Sequence, residues 1–297
     1  MKLCTSTNIM NFDLGKPYSI SLEEAVRACA AAGYKYIDAN LCGFARPGQP
    51  LAGDGWEQWV EDAIRLAEEL GVEFIQAHAY WVIGNPFTDS STSGNLTRAD
   101  GEWGEELMRR SVIAAQRLGA KWMVVHPFTV WQESWYHYKE SFAYNREYFK
   151  RWGEIYADHQ VGMAIENMAK NPQKVSYCAR GEELLELVDA IDNPMVQICV
   201  DTGHAHLSGI SPAKMIRQMG SRLKATHIAD NHQNKDEHFA PFNGTIDWSD
   251  TMSALREIGY EEAFAFEIHN LTSMYPAQVQ RQLVGFSYEL GQYLLGM

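Results

Sequence analysis

Short apolar runs alternate with longer segments of helical period eight times along the chain, and few folds accept that rhythm. The strand readings are Lys2–Thr5, Tyr34–Asn40, Glu73–Tyr80, Trp122–Phe128, Gly162–Asn167, Met195–His204, Lys224–Asp230 and Ala263–Asn270. Helical spacing fills the intervals at Leu22–Ala32, Trp56–Leu70, Glu102–Leu118, Ala143–His159, Glu182–Ile191, Pro212–Met219 and Ser249–Ile258, and a last helix runs from Pro276 to about Leu295. Ser21 is expected to cap the first helix. Gly33, Gly71, Gly119, Gly220 and Gly259 stand at helix ends, where glycine can take the left-handed conformation that stops a helix. Eight βα units with buried strands predict an α/β fold, a (β/α)8 TIM barrel. A doubly wound open sheet is the rival. It usually carries a Gly-rich nucleotide loop after its first strand, and CTSTNIMNFDLG is not one. No linker or low-complexity break divides the 297 residues, so residues 1–297 read as a single TIM-barrel domain.

The strands end in chemistry. The third ends at His78, the fourth at His126, the fifth at Glu166 and the sixth at Asp201, while the seventh carries His227 and the eighth Glu267. A buried carboxylate in such a place is costly unless it is paired or bound to a metal. Two glutamates, one aspartate and one imidazole, Glu166, Asp201, Glu267 and His227, form a coherent site for one divalent ion. Mn²⁺ suits that donor set first, with Co²⁺, Zn²⁺ and Mg²⁺ as alternatives, and positions remain for substrate oxygens. Solvated polar residues at a barrel rim explain any one of these side chains, but explain four together poorly.

Two connections are longer than a barrel needs: residues 81–103 after the third strand and residues 129–145 after the fourth. Both are expected on the C-terminal face, where barrel active sites form. Trp81, Trp103, Trp131, Trp135, Tyr136, Tyr138 and Tyr144 crowd them. Aromatic faces stack on sugar rings or aromatic aglycones, and Trp131 is taken as a substrate contact; packing of the loops against the barrel is the competing explanation.

The segments AIEN at Glu166, VDTGH at Asp201 to His204, HIADN at His227 to Asp230, DEHFAPFNGTIDW at Asp236 to Trp248 and FEIHN at Glu267 resemble the xylose isomerase-like TIM barrel superfamily. That group contains sugar-phosphate isomerases and epimerases and is related to endonuclease IV, and the resemblance covers nearly the whole chain. It implies that Glu166, Asp201, His227 and Glu267 are metal ligands, that Glu166 and Glu267 act as acid–base groups on either side of the substrate, and that His204 contacts it. Many sugar-active members also keep residues at the places of His78, His126, Asp236 and His238 for substrate hydroxyls. One departure is PFNG, where Phe242 replaces the first glycine of a Gly-x-Gly turn common among relatives.

The chemistry implied is proton transfer beside the carbonyl of a ketose, through an enediolate, between two glutamates. Return of the proton to the same carbon epimerises the sugar; delivery to the neighbouring carbon isomerises it. Expulsion of a β-substituent makes the enzyme a lyase or dehydratase on an oxidised sugar or 3-oxo-glycoside, as in the catalytic subunits of C-glycoside deglycosidases, which pair with a small accessory subunit. Endonuclease IV-like relatives use the positions of His78, His126, His204, Asp236 and His238 to complete a three-metal site. A net charge of −13 and the lack of a basic strip argue against nucleic acid as the partner. Phosphate recognition predicts arginines or glycine-rich nests after the last two strands, and NLTSMYPAQ offers neither, so the expected ligand is a non-phosphorylated sugar or glycoside.

Five scattered cysteines without CxxC spacing argue against a disulfide framework or a thiolate zinc site. No apolar run approaches a membrane span and the first residues lack a signal-peptide core, so a cytoplasmic location with no membrane partner is expected. The resemblance leaves room for a homo-oligomer.

Overall fold

Alternating side chains decide how the strands assemble. In the computed structural model, which describes residues 1–10, 20–80, 98–132, 135–170, 174–273 and 275–297, eight parallel strands turn one face to the barrel interior and a large apolar face to the helices. They are β1 (Lys2–Ser6), β2 (Tyr36–Asn40), β3 (Glu73–His78), β4 (Trp122–Val125), β7 (Gly162–Glu166), β8 (Val196–Asp201), β9 (Leu223–His227) and β10 (Ala263–Phe266). A two-stranded hairpin, β5 (Trp131–Gln132) and β6 (Trp135–Tyr136), lies between β4 and β7 in sequence. The parallel strands are ordered β10-β1-β2-β3-β4-β7-β8-β9. Between the two edges of that row, Ile228 N donates to Ala265 O (2.8 Å) and Glu267 N to Ile228 O (3.1 Å), which closes the ring. The side chain of Thr226 supplements this joint: its hydroxyl donates to Ala263 O (2.7 Å) and accepts from Ala265 N (3.3 Å). The predicted (β/α)8 barrel is the observed fold.

Ten helices accompany the strands among the described residues: α1 (Leu22–Ala32), α2 (Leu41–Phe44), α3 (Trp56–Leu70), α4 (Arg98–Leu118), α5 (Tyr138–Asp158), α6 (Gly181–Ile191), α7 (Thr202–Leu207), α8 (Pro212–Met219), α9 (Trp248–Glu257) and α10 (Ala277–Gly296). Helix α1 starts as expected: Ser21 accepts from Glu24 N, and the Glu24 carboxylate reaches back to Ser21 N. Several boundaries differ from the sequence reading, among them the fourth strand, which ends at Val125 just before His126, and the seventh, which ends at His227. The sixth strand stops at Asp201 rather than His204, because the Asp201 carboxylate caps α7 by accepting from His204 N. The eighth stops at Phe266, and His269–Leu271 form a 3-10 turn instead of continuing the strand. Most of residues 129–145, read as a loop, is hairpin and helix, since α5 begins at Tyr138. Among the described residues no helix is long and apolar enough to cross a membrane.

The core has two compartments. Ile37, Phe74, Met123, Ile165, Val200, Ile228 and Phe266 pack in the layer shared with the helices. Inside the barrel, Trp122, Val124, Ala164, Cys199 and Ala225 form one cluster and Cys4, Ala263 and Ala265 another. The Trp122 indole occupies the space that a side chain on Gly162 would need, since a Cβ there would lie 2.2 Å from the ring. Gly162→Ala is therefore expected to destabilise the protein by roughly 1–3 kcal/mol, read from its denaturation midpoint.

Candidate metal centre

Each of the four expected ligands sits where its strand runs out. Glu166, Asp201 and His227 are the last residues of β7, β8 and β9, and Glu267 is the first residue after β10. All four are buried, and one donor atom from each lies within 4.8 Å of the others. His227 Nδ1 is 3.1 Å from Glu166 Oε1 and 3.3 Å from Glu267 Oε2. Asp201 is held by Asn167, whose side chain accepts from Asp201 N (2.7 Å) and donates to Asp201 O (3.1 Å). One Asp201 oxygen accepts from His204 N (2.6 Å), but the other, Oδ2, is buried with no hydrogen-bond partner. An orphaned carboxylate oxygen beside two glutamates and an imidazole fits a divalent cation in both charge and donor type.

The electrostatics of the metal-free site point the same way. Burial and the nearby Glu166 carboxylate raise Asp201 to about 6 against the opposing pull of His204. Burial also opposes charge on Glu166, yet His227 and His126 hold its carboxyl well below the ordinary range. His227 is pushed well above an ordinary imidazole by Glu267 and Glu166 despite its burial. Protons thus stand in for positive charge among the carboxylates, and a metal ion binding there would have to displace them, so its affinity is expected to tighten with rising pH.

Two further groups flank the four. On one side His126 Nε2 is 2.8 Å from Glu166 Oε2 and 3.1 Å from His78 Nε2. On the other, Asp236 Oδ2 lies 3.1 Å from His238 Nε2 and 3.4 Å from His204 Nε2. Each trio, His78–His126–Glu166 and His204–Asp236–His238, brings donor atoms within the same 4.8 Å limit. Burial would depress His238, but Asp236 raises it to about 9. Because that folded-state value exceeds the ordinary 6.5, its stabilisation is complete below pH 6.5 and lost as pH rises through about 9. Chelator-treated protein is therefore expected to lose up to about 3 kcal/mol of stability over that window, measured by denaturation at several pH values.

The aromatics divide. Tyr136 is buried with its hydroxyl on Glu183, and Tyr144 packs edge-on against Phe128 at 5.2 Å. These two serve packing. Trp103 and Trp135 are exposed, and Lys174 covers the Trp131 ring at 3.6 Å. No contact recorded among the described residues ties Trp131 to the carboxylate–imidazole cluster. Trp81 and most of the first long connection, residues 81–97, lie outside the described residues.

Residues 26–289 match the family model described as xylose isomerase-like TIM barrel. The chain belongs to that family. L-ribulose 3-epimerase of Methylomonas sp. strain DH-1 is 23% identical over 246 residues, covering 82% of this chain and 77% of the relative. A crystal structure of D-psicose 3-epimerase in the presence of D-fructose superposes with a TM-score of 0.76 at 15% identity, covering 100% of both chains. The 3-keto-D-glucoside 4-epimerase YcjR from E. coli, in its apo form, gives 0.68 at 16% identity, covering 97% of this chain and 99% of that one.

In this xylose isomerase-like barrel, the segment after β9 is shaped by Asp230. Its carboxylate accepts from Asn231 N (2.9 Å), Phe242 N (3.1 Å), Ile246 N (3.2 Å) and Trp248 Nε1 (2.9 Å). Gly244 passes so close that a Cβ would sit 2.3 Å from Asp230 Oδ1. Phe242, the departure noted in PFNG, takes a left-handed φ of 71° and leaves its ring exposed. The turn is thus kept by a non-glycine residue in a costly conformation.

Several site neighbours escaped the sequence reading. Asn8, in the 3-10 turn after β1, donates to Glu267 Oε1 at 3.4 Å. His206 is buried with Nε2 2.8 Å from the Thr245 hydroxyl. His269, two residues past Glu267, is a residue the sequence did offer as a pocket lining; it is buried against His238, ring centroids 4.0 Å apart, but on a 3-10 turn rather than on the strand. Asp38 is fully buried in β2 and lies 3.5 Å from His227 Nε2. A signal existed for it: an aspartate between Ile37 and Ala39 shares the inward face that bears chemistry on the other strands. It stands two residues before the end of β2, away from the strand ends that carry the other acidic and imidazole side chains.

Proposed function

We propose that this chain is a metal-dependent sugar epimerase or isomerase acting on a non-phosphorylated ketose or oxidised glycoside. The observation that carries this reading is the convergence of Glu166 and Glu267 on one imidazole, 3.1 and 3.3 Å from His227 Nδ1, in a buried site. Glu166, Asp201, His227 and Glu267 would hold the ion. A divalent ion there supplies Lewis acidity, polarising a carbonyl and its neighbouring hydroxyl. Glu267, with its carboxylate steadied by Asn8 and slightly open to solvent, is assigned removal of the proton beside the carbonyl. Glu166 is assigned its return. His204, Asp236 and His238 on one side, and His78 and His126 on the other, offer donors and acceptors for the sugar hydroxyls, and Trp131 a ring face.

Incubation with free ketoses and 3-keto-glucosides in deuterated buffer tests the reading. Deuterium entering the carbon beside the carbonyl, together with an epimer or isomer, is expected, and exhaustive chelator dialysis should remove it. Turnover that survives dialysis with no metal detected would overturn the metal assignment. An eliminated aglycone would redirect the chemistry to a lyase.

A second reading has one observation in its favour: the two flanking trios could each hold an ion beside the central one. Three ions per chain together with cleavage of abasic-site DNA would establish a phosphodiesterase instead. The net charge of −13 disfavours that substrate.

A further inference from the structure

Beneath the four ligands, inside the barrel, stands a carboxylate that the proposed reaction leaves unused. Asp38 projects from β2 with no solvent exposure, and the imidazole of His227 is its only recorded ion-pair partner among the described residues, Oδ2 lying 3.5 Å from Nε2. Gln76, equally buried on β3, donates its amide to Asp38 Oδ2 at 3.2 Å and to the backbone oxygen of Thr226 on β9 at 3.2 Å. That amide spans the barrel and ties the aspartate to the strand that carries His227. The second Asp38 oxygen meets no donor. Burying such a group for stability alone is a poor arrangement, because desolvation of a carboxylate commonly outweighs the attraction it gains.

The imidazole supplies the reason. His227 Nδ1 faces Glu166 and Glu267, the side on which an ion would sit, so its lone pair must be free and the ring hydrogen must reside on Nε2. A carboxylate beyond Nε2 favours that tautomer and increases the basicity of Nδ1. The His78 ring, parallel to that of His227 within 8° at 5.5 Å, restrains its rotation.

We propose that Asp38 is the positioning residue of the metal centre, fixing the tautomer and direction of His227, with Gln76 and the Thr226 carbonyl fixing Asp38. The inference rests on the metal reading above, and its test separates the two. Metal-stripped wild type, Asp38→Asn and Gln76→Met are titrated calorimetrically with Mn²⁺, and the Co²⁺ forms are compared by visible absorption. Asp38→Asn keeps the volume and removes the charge. It should raise the Mn²⁺ dissociation constant about 10- to 100-fold and shift the Co²⁺ bands, while the metal-free variant still unfolds cooperatively. Gln76→Met, which leaves the carboxylate but frees it, should weaken binding about threefold or more. A folded Asp38→Asn protein with wild-type affinity and an unmoved Co²⁺ spectrum would overturn the inference while leaving the metal centre standing. If Asp38→Asn does not fold, a folded Gln76→Met protein decides by the same comparison. A wild-type chain that takes up neither ion overturns both readings.

Discussion

Glu267→Gln is expected to lower turnover by about 10²- to 10⁴-fold, the range for loss of a positioned acid or base, while leaving the barrel folded. The amide keeps the size of the side chain and an oxygen for the ion, yet cannot accept a proton at any working pH. Glu166→Gln should lose at least as much, for a compound reason. Glu166 lies 3.1 Å from His227 Nδ1, 2.8 Å from His126 Nε2 and 3.4 Å from His204 Nδ1, so the amide presents hydrogens to groups that now meet a negative charge. Metal content separates the two variants: Glu267→Gln should retain more of its ion than Glu166→Gln. Steady-state kinetics on a substrate from the ketose and 3-keto-glucoside panel, beside metal analysis, gives the comparison. Near-wild-type turnover in both would remove the acid–base assignment.

Asp230→Ala is expected to carry the largest stability loss, about 3–5 kcal/mol, the scale for removing one partner of a buried charged network. The alanine would strand the amides of Asn231, Phe242 and Ile246 and the Trp248 indole, all of which now meet one carboxylate. Asp230→Asn should cost less, because the amide oxygen can still accept from some of these donors. Equilibrium denaturation measures both. The segment it holds carries Asp236 and His238, so activity should fall in the alanine variant even where the remaining folded fraction is large.

The barrel was legible because two independent signals agree: apolar runs of strand length, and glycines at the helix ends. Gly33, Gly71, Gly119, Gly220 and Gly259 all take positive φ in the structure. The clustering of Glu166, Asp201, His227 and Glu267 was legible because strand ends in a parallel barrel share one rim. What pattern could not reveal was side chains acting on backbone. Asp201 ends its strand by capping the next helix, and a sequence window reads straight through to His204. Asp38 and Gln76 sit within strands, where periodicity marks them as inward but cannot say that they touch. The hairpin of Trp131–Gln132 with Trp135–Tyr136 is too short for its alternation to stand out.

Thr226 has a consequence for how the ring opens. Where β9 meets β10, one residue's hydroxyl replaces part of a ladder, and the ordinary bonds there are those made by Ile228. Breathing motions of a closed sheet begin where its registry is thinnest, so the amides of Ile228 and Glu267 should exchange with solvent faster than those along the β7–β8 pairing. His227 and Glu267 stand on the two sides of that joint. A cation shared between them would act as a clasp, slowing exchange at the joint far more than elsewhere, so occupancy of the site would be readable from two amide protons.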